Sequence, residues 1–168
     1  MSIEMTKDEV INYGLKIFEE IGANEICKVC INSGNSCCFG CEFIEDQVGC
    51  QKRNTACTAW LCGVQRYYFN DIGLLEGWSE FWKQVPGRLY RADRTPEVIT
   101  VDRLPKSDHI SKNKGKNVAK ELEIFIANGG SIDKLERKLS LDLEFGNLYL
   151  KNQLSLKYTL KKEGETQV

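Results

Sequence analysis

All eight cysteines of this 168-residue chain lie in one stretch, residues 27–62, which reads CKVCINSGNSCCFGCEFIEDQVGCQKRNTACTAWLC. The stretch contains a turn-rich run of Asn, Ser and Gly, and its apolar residues are too irregularly spaced for a hydrophobic core of its own. Clustered thiols could hold such a segment together, because a bound metal supplies folding free energy. We therefore expect a cysteine-rich, metal-stabilised module here.

Two cysteine pairs have the Cys-x-x-Cys spacing, Cys27–Cys30 and Cys38–Cys41, and Gly40 allows the tight backbone of a metal-binding knuckle in the second. Two such pairs can supply a tetrahedral four-sulfur site. The other four cysteines could form a second site or share a centre with the first set; they are Cys37, Cys50, Cys57 and Cys62. The sequence leaves this division open.

The bound group is predicted only as a thiophilic metal. Zinc, as one or two ions, favours closed tetrahedral thiolate sites, and an iron–sulfur cluster also takes four thiolates. We favour zinc and keep the iron–sulfur cluster as the alternative, with disulfides or redox-active thiols as the remaining interpretations. If residues 55–69 form one helix, Cys57 and Cys62 lie about 140° apart around its axis. They would then serve different centres, or Cys57 would sit at the helix start, where the dipole favours its thiolate.

The cysteine order carries a family resemblance. The Cys37–Cys38 doublet, the Gly49–Cys50 step and the Trp60–Leu61–Cys62 ending resemble a bacterial zinc- or iron-chelating family named for its CxxCxxCC motif. The resemblance covers residues 27–62, and six residues rather than two separate Cys30 from the doublet. It implies metal binding in a bacterial or phage-type protein and no particular activity.

The composition is that of an ordinary globular protein, with 42% hydrophobic and 28% charged residues. Lys and Arg total 23 against 24 Asp and Glu, which excludes a strongly basic protein that coats nucleic acid and a strongly acidic mimic of it. The N-terminal residues lack the basic and apolar regions of a signal peptide, and no apolar run reaches the roughly 20 residues of a membrane span. We expect a cytoplasmic protein that does not enter membranes and keeps its thiols reduced.

Helix signals flank the cysteine stretch. A capping box at Thr6–Glu9 predicts a helix over residues 7–21 that Gly22 ends. Asn54 or Thr55 can cap a helix that runs to Phe69, and a second helix follows and stops at Pro86–Gly87. Four aromatic residues in this region are predicted to pack as core against the cysteine module: Trp60, Trp78, Phe81 and Trp82.

The second half of the chain predicts a strand over residues 97–102, a helix that ends at Gly129–Gly130, and a helix capped by Ser131. Alternating leucines over 148–160 predict a terminal β-hairpin. The fold class is therefore α+β and mainly helical. We expect three parts: a helical domain over 1–104 that holds the cysteine module, a basic loop or linker over 105–116, and a small α+β part over 117–168 packed on the first.

Charge is polarised along the chain, with nine basic against four acidic residues over 86–120 and the opposite imbalance over 1–25. The basic segment is either a phosphate-binding surface or a solvated loop that pairs with the acidic helix. The candidate contacts to nucleic acid or another anion are Arg88, Arg91, Arg94, Lys112, Lys114 and Lys116. His109, the single histidine, is predicted to be a surface residue.

No catalytic pattern emerges, since the Lys112–Lys116 run lacks the frame of a phosphate-binding loop and no acidic pair marks acid–base work. The sequence therefore favours a non-enzymatic role, as a metal-binding module that binds or regulates a protein partner, or a nucleic acid. The alternative is an iron–sulfur or thiol-based redox protein. In a third interpretation, the thiolate of Cys57 or Cys62 oxidises and releases metal. The oligomeric state stays open.

Overall fold

The computed structural model describes residues 2–35, 38, 40–90 and 92–144. Over these residues the chain is α+β and mainly helical, as predicted. In chain order the described elements are β1 (Ile3–Thr6), α1 (Lys7–Glu20), α2 (Ala23–Asn32), β2 (Ile44–Glu45), β3 (Gly49–Cys50), α3 (Thr55–Ala59), α4 (Gly63–Asp71), α5 (Leu75–Lys83), β4 (Val98–Val101), α6 (Lys112–Ala127) and α7 (Ile132–Glu144). The hairpin predicted over 148–160 lies outside the described residues.

The strands form two small antiparallel pairs. β1 pairs with β4 in a register that joins Ile3 to Val101, and β2 pairs with β3 in the register of Ile44 with Cys50. Ile99 and Val101 are buried whereas Val98 and Thr100 are exposed, which is the alternation of a half-buried strand. The predicted strand over 97–102 is confirmed, and its partner β1 is an element that the sequence pattern does not predict.

The first helix follows its sequence signals. The Glu9 amide donates to Oγ1 of Thr6 at 3.2 Å, and the Thr6 amide donates to Oε2 of Glu9 at 2.7 Å, which completes the predicted capping box. The helix gives way at Gly22, whose φ of 76° is left-handed. The helix predicted over 7–21 is confirmed.

The first cysteine pair lies on a helix, which corrects the expectation of an irregular loop from residue 27 onward. Cys27 and Cys30 are one turn apart on α2, so no knuckle backbone surrounds them. The reason is that cysteine packs as a small hydrophobe and continues the apolar face of Ala23, Ile26 and Val29. This helix packs against α6.

The single helix predicted over 55–69 is two helices. Asn54 caps the short α3 by accepting the Cys57 amide at 2.8 Å, and Cys62 caps α4 by accepting the Gln65 amide on Sγ at 3.4 Å. Residues 60–62 between them are not helical, so the angle expected between Cys57 and Cys62 on one helix does not apply. The start of α4 lies so close to α7 that a Cβ on Gly63 would overlap the Glu136 carbonyl oxygen.

The core is aromatic. Phe18, Phe69 and Trp78 lie with ring centroids 5.1 to 5.5 Å apart, and Phe81 and Trp82 extend the cluster. Three of the four predicted core aromatics are buried, which confirms those predictions. Trp60 is 52% exposed, so its prediction was wrong. The extended backbone that separates α3 from α4 takes this residue off the buried helix face.

The basic loop expected over 105–116 is corrected in its second half. Ser111 caps α6, which begins at Lys112, and Pro105 and Ile110 are buried before it. α6 packs on α2 and α7 packs on α4, so residues 117–144 lie against the first part of the chain. Oγ of Ser131 accepts the amide of Lys134 at 3.4 Å, as expected of a cap for α7.

Candidate functional site

A cavity of about 90 Å³ lies among α2, the start of α4 and the β2–β3 pair. Five of the described cysteines line it: Cys27, Cys30, Cys38, Cys50 and Cys62. We call this the cysteine cavity. Three separate chain segments contribute these thiols, so the arrangement is a product of tertiary packing.

Helices place three of the five cysteines. Cys27 and Cys30 are three residues apart on α2 and so share a face. Cys62 reaches the cavity as the N-cap residue of α4, and both Cys30 and Cys62 are buried. A sulfur at a helix N-terminus lies where backbone amides and the dipole favour a thiolate.

The other two cavity cysteines come from the connecting segment. Cys38 lies in the loop after α2, and Cys50 lies in β3. Gly40 has a φ of 62°, which agrees with the tight backbone predicted there. Gly49 has a φ of 101°, and a Cβ on it would lie 3.0 Å from Cδ1 of Ile31. The β2–β3 pair therefore packs closely on α2 at the cavity wall.

Gln65 connects the two sides of the cavity. Its Nε2 donates to Sγ of Cys27 at 3.1 Å and to the Ala23 carbonyl at 2.8 Å, while its backbone amide donates to Sγ of Cys62. The side chain is 3% exposed, and its Oε1 has no hydrogen-bond partner among the described residues. Gln65 was not predicted from the sequence, although it stands three residues after Cys62, the spacing from an N-cap residue to the amide whose hydrogen bond the cap accepts.

The described residues contain no group of three or more His, Cys, Asp and Glu side chains arranged to hold a metal ion. Cys37 lies outside the described residues. The chemistry of the cavity nevertheless suits a thiophilic metal, because its cysteine donors are sulfur and Gln65 supplies N–H groups to two of them.

The remaining two described cysteines do not line this cavity. Cys57 lies on α3 and lines a separate open groove, together with Trp60 and Arg88. Cys41 is half-buried beyond Gly40. A single centre that uses all eight thiols therefore does not follow from this packing.

The basic residues predicted to contact an anion do not lie together in the structure. Arg88 is half-buried and lines the open groove, and its Nε donates to the Val85 carbonyl at 3.0 Å. Arg94 is exposed, and Arg91 lies outside the described residues. Lys114 and Lys116 are exposed on α6 and do not line the groove.

Lys112 follows the alternative prediction, in which the basic segment pairs with the acidic first helix. Its Nζ lies 3.7 Å from Oε1 of Glu19 on α1, so this lysine pairs with the acidic helix. The side chain of His109 is 68% exposed and lies beside Asp108, as expected for a surface histidine.

None of the described helices combines the length and the apolar character that crossing a membrane requires. Comparison of the chain with protein-family models, with curated proteins and with solved structures finds no match. Membership of the CxxCxxCC family stays a prediction from residues 27–62.

Proposed function

We propose that the cysteine cavity binds a thiophilic metal ion, with zinc as the first candidate. The observation that carries the proposal is that five cysteines from three chain segments line one small cavity. Sulfur donors select zinc or iron over magnesium and calcium, which take oxygen ligands.

The helices would supply part of the centre, and their thiols would draw together as the metal binds, because the described residues hold no ready-made group of three ligands. Cys27 and Cys30 would bind from one turn of α2, and Cys62 would bind from the N-terminus of α4. A fourth ligand would come from the connecting segment, with Cys38, Cys50 and the sequence neighbour Cys37 as candidates. Closing this segment on a metal would contribute folding free energy, since the unfolded chain has no preformed site.

Gln65 would act as a supporting residue of the centre. Its two N–H donors reach the sulfurs of Cys27 and Cys62, so they would fix the orientation of these ligands and offset part of their negative charge. With this support, the ligands on the α2–α4 side would be the better oriented ones.

The metal would be structural, and the protein would act in a reducing cytoplasm as a binding or regulatory module for a protein or a nucleic acid. The alternative is an iron–sulfur or thiol redox protein. Hydrogen bonds to the sulfurs favour that alternative too, because they are one means by which proteins tune cluster potentials.

Analysis of protein purified without oxygen tests the proposal. Metal and sulfide are quantified beside the visible spectrum for the wild type, for Cys27→Ser and for the matched control Cys57→Ser. We expect stoichiometric metal in the wild type and the control, and its loss in Cys27→Ser. Zinc without colour supports the structural role, whereas iron with sulfide supports the redox alternative.

Two results would contradict the metal centre. One is a folded wild type, by circular dichroism, that holds no metal. The other is equal metal content in Cys27→Ser, Cys62→Ser and the control, because the sulfurs assigned to the centre would then be dispensable.

A further inference from the structure

An open groove of about 1020 Å³ runs along α3, the start of α4 and α5. Trp78 and Trp82 line it, and each is only 2% exposed. Trp60 and Tyr90 also line it, and they are 52% and 57% exposed. We call this the α3–α5 groove.

The charge of the groove is one-sided. Its described lining residues include Arg66, Lys83 and Arg88 and no Asp or Glu. In a chain with 24 acidic and 23 basic residues, this absence makes the groove a locally positive surface. An anionic ligand is the occupant that such a surface attracts.

Among these cations, Arg88 gives the strongest indication of an anionic ligand. It is half-buried, and burial lowers the pKa of its guanidinium. Among the described residues no carboxylate forms an ion pair with it, and Nε is satisfied only by the Val85 carbonyl. A partly desolvated cation without a counter-charge is costly, and a bound phosphate would offset that cost.

Trp60 is held in its exposed position by its neighbours. Nε1 of Trp78 donates to the carbonyl of Ala59 at 2.9 Å, which fixes the chain directly before Trp60. The adjoining Leu61 is buried, which anchors the chain directly after it. An exposed indole on an anchored backbone is pre-organised for stacking, because little entropy is lost when a ring covers it.

We propose that the α3–α5 groove binds single-stranded nucleic acid. Bases stack on Trp60 and Tyr90, and phosphates contact Arg66, Lys83 and Arg88. This pairing of aromatic faces with cations matches the chemistry of single-strand binding sites. Duplex nucleic acid fits the groove less well, because its base faces are stacked inside the helix and cannot stack on Trp60. An acidic peptide fits less well, because it supplies negative charge but no flat bases.

This role rests on the proposed function, which gives a protein or a nucleic acid as the partner. The groove narrows that choice to nucleic acid. The groove also adjoins the cysteine cavity, since Cys38 lines both and Cys62 follows the groove residue Leu61. A metal in the cavity would therefore stabilise one wall of the groove.

Fluorescence anisotropy with a labelled twelve-nucleotide oligothymidylate tests the proposal, on the full chain with its metal content measured in the same sample. We expect binding that weakens with salt at a logarithmic slope of about −2 for three phosphate contacts. Trp60→Ala should weaken it about 5- to 150-fold, the loss of one stacked base, whereas Trp60→Phe keeps most of the affinity. The control Ile124→Ala removes an equally exposed apolar residue on α6, outside the groove lining, and leaves binding unchanged.

The contribution of the basic side chains of the groove is tested separately. Lys83→Ala should reduce the salt slope by about 0.7, whereas Lys120→Ala on α6 leaves it unchanged. Competition by polyglutamate or by duplex DNA as strong as that by the unlabelled single strand overturns the proposal. So does a folded wild type that binds no oligonucleotide, or a Trp60→Ala variant that binds as the wild type does. Metal without oligonucleotide binding overturns the groove alone, and oligonucleotide binding without metal overturns the metal centre alone.

Discussion

Nε2 of Gln65 donates a 3.1 Å hydrogen bond to Sγ of Cys27, a residue that precedes it by 38 positions in the chain. The same nitrogen donates to the carbonyl of Ala23, so one buried amide joins α4 to a full turn of α2. The contact fixes the distance between the two helices that bring cysteines to the cavity.

Replacing Gln65 with leucine tests the importance of this contact. Gln65→Leu keeps a similar volume but removes two buried hydrogen bonds, from Nε2 to the Ala23 carbonyl and to Sγ of Cys27, so we expect a loss of about 1–3 kcal/mol in the free energy of unfolding. Metal affinity should fall about 10- to 100-fold, as for other residues that orient metal ligands. Urea denaturation and competitive metal titration measure the two effects.

The matched control is Gln84→Leu. Gln84 accepts the amides of Asp102 and Arg103 and donates to the Arg103 carbonyl, away from the cysteine cavity. It should lower stability without changing metal affinity. Equal metal affinity in both variants would remove Gln65 from the proposed centre.

Gly115 is the point of closest approach between α6 and the turn after α1. A Cβ there would overlap Gly22 backbone atoms and lie 2.6 Å from the Ile21 carbonyl oxygen. Gly115→Ala should therefore cost about 1–3 kcal/mol through overpacking, despite its better helix propensity. Thermal and urea unfolding measure the change.

Gly77 provides the comparison, because it is also helical and its nearest neighbour would be Cβ of Pro105 at 3.7 Å. Gly77→Ala should stabilise the protein by about 0.5–1 kcal/mol. A stabilising Gly115→Ala would mean that α6 does not approach the turn so closely.

Asp93 joins three segments through one carboxylate. Oδ2 lies 3.1 Å from Nζ of Lys7, and the carboxylate accepts the amides of Thr55 and Thr95. Burial by itself raises the pKa of Asp93, but the hydrogen bonds from Thr95, Thr55 and Lys7 outweigh it and hold the pKa well below its usual value. A lowered folded pKa gives stability that is present above the unfolded value of about 3.9 and is lost as pH falls through the folded value.

Asp93→Asn should therefore cost about 1–3 kcal/mol at neutral pH and flatten the acid limb of the stability profile below about pH 4. Urea unfolding at a series of pH values measures this. Asp108→Asn, at a side chain that is 89% exposed, should change neither quantity. An acid limb as steep in Asp93→Asn as in the wild type would refute the assignment.

Tyr68 titrates late because it is buried. Its hydroxyl donates to the Ile21 carbonyl at 2.6 Å, and burial, with a smaller effect of Asp71, raises its pKa to about 12. This stabilisation is complete below the unfolded pKa of about 10 and is lost as pH rises through the folded value. Ultraviolet titration should show one tyrosine that ionises last and is absent in Tyr68→Phe. Ionisation of all six tyrosines by pH 11 in a folded protein would contradict it.

Helix ends and the strand over 97–102 were predictable because their signals are local. The Thr6–Glu9 box and the Ser131 cap each act within a single turn of the chain. The position of Trp60 was not predictable in the same way. Its apolar spacing suits a continuous helix, but two competing caps at Asn54 and Cys62 divide that helix in two.

The sequence by itself determined that the thiols lie together in residues 27–62, that a capping box at Thr6–Glu9 starts the helix before them and that Asn54 can cap a helix among them, because those properties depend on near neighbours. Only the tertiary structure decided that Cys27, Cys30 and Cys62 face one cavity while Cys57 lines another. That choice depends on the packing of α2 against α4, through contacts between residues far apart in the chain such as those of Gln65 with Ala23 and Cys27. The spacing of the cysteines in the sequence does not indicate these long-range contacts.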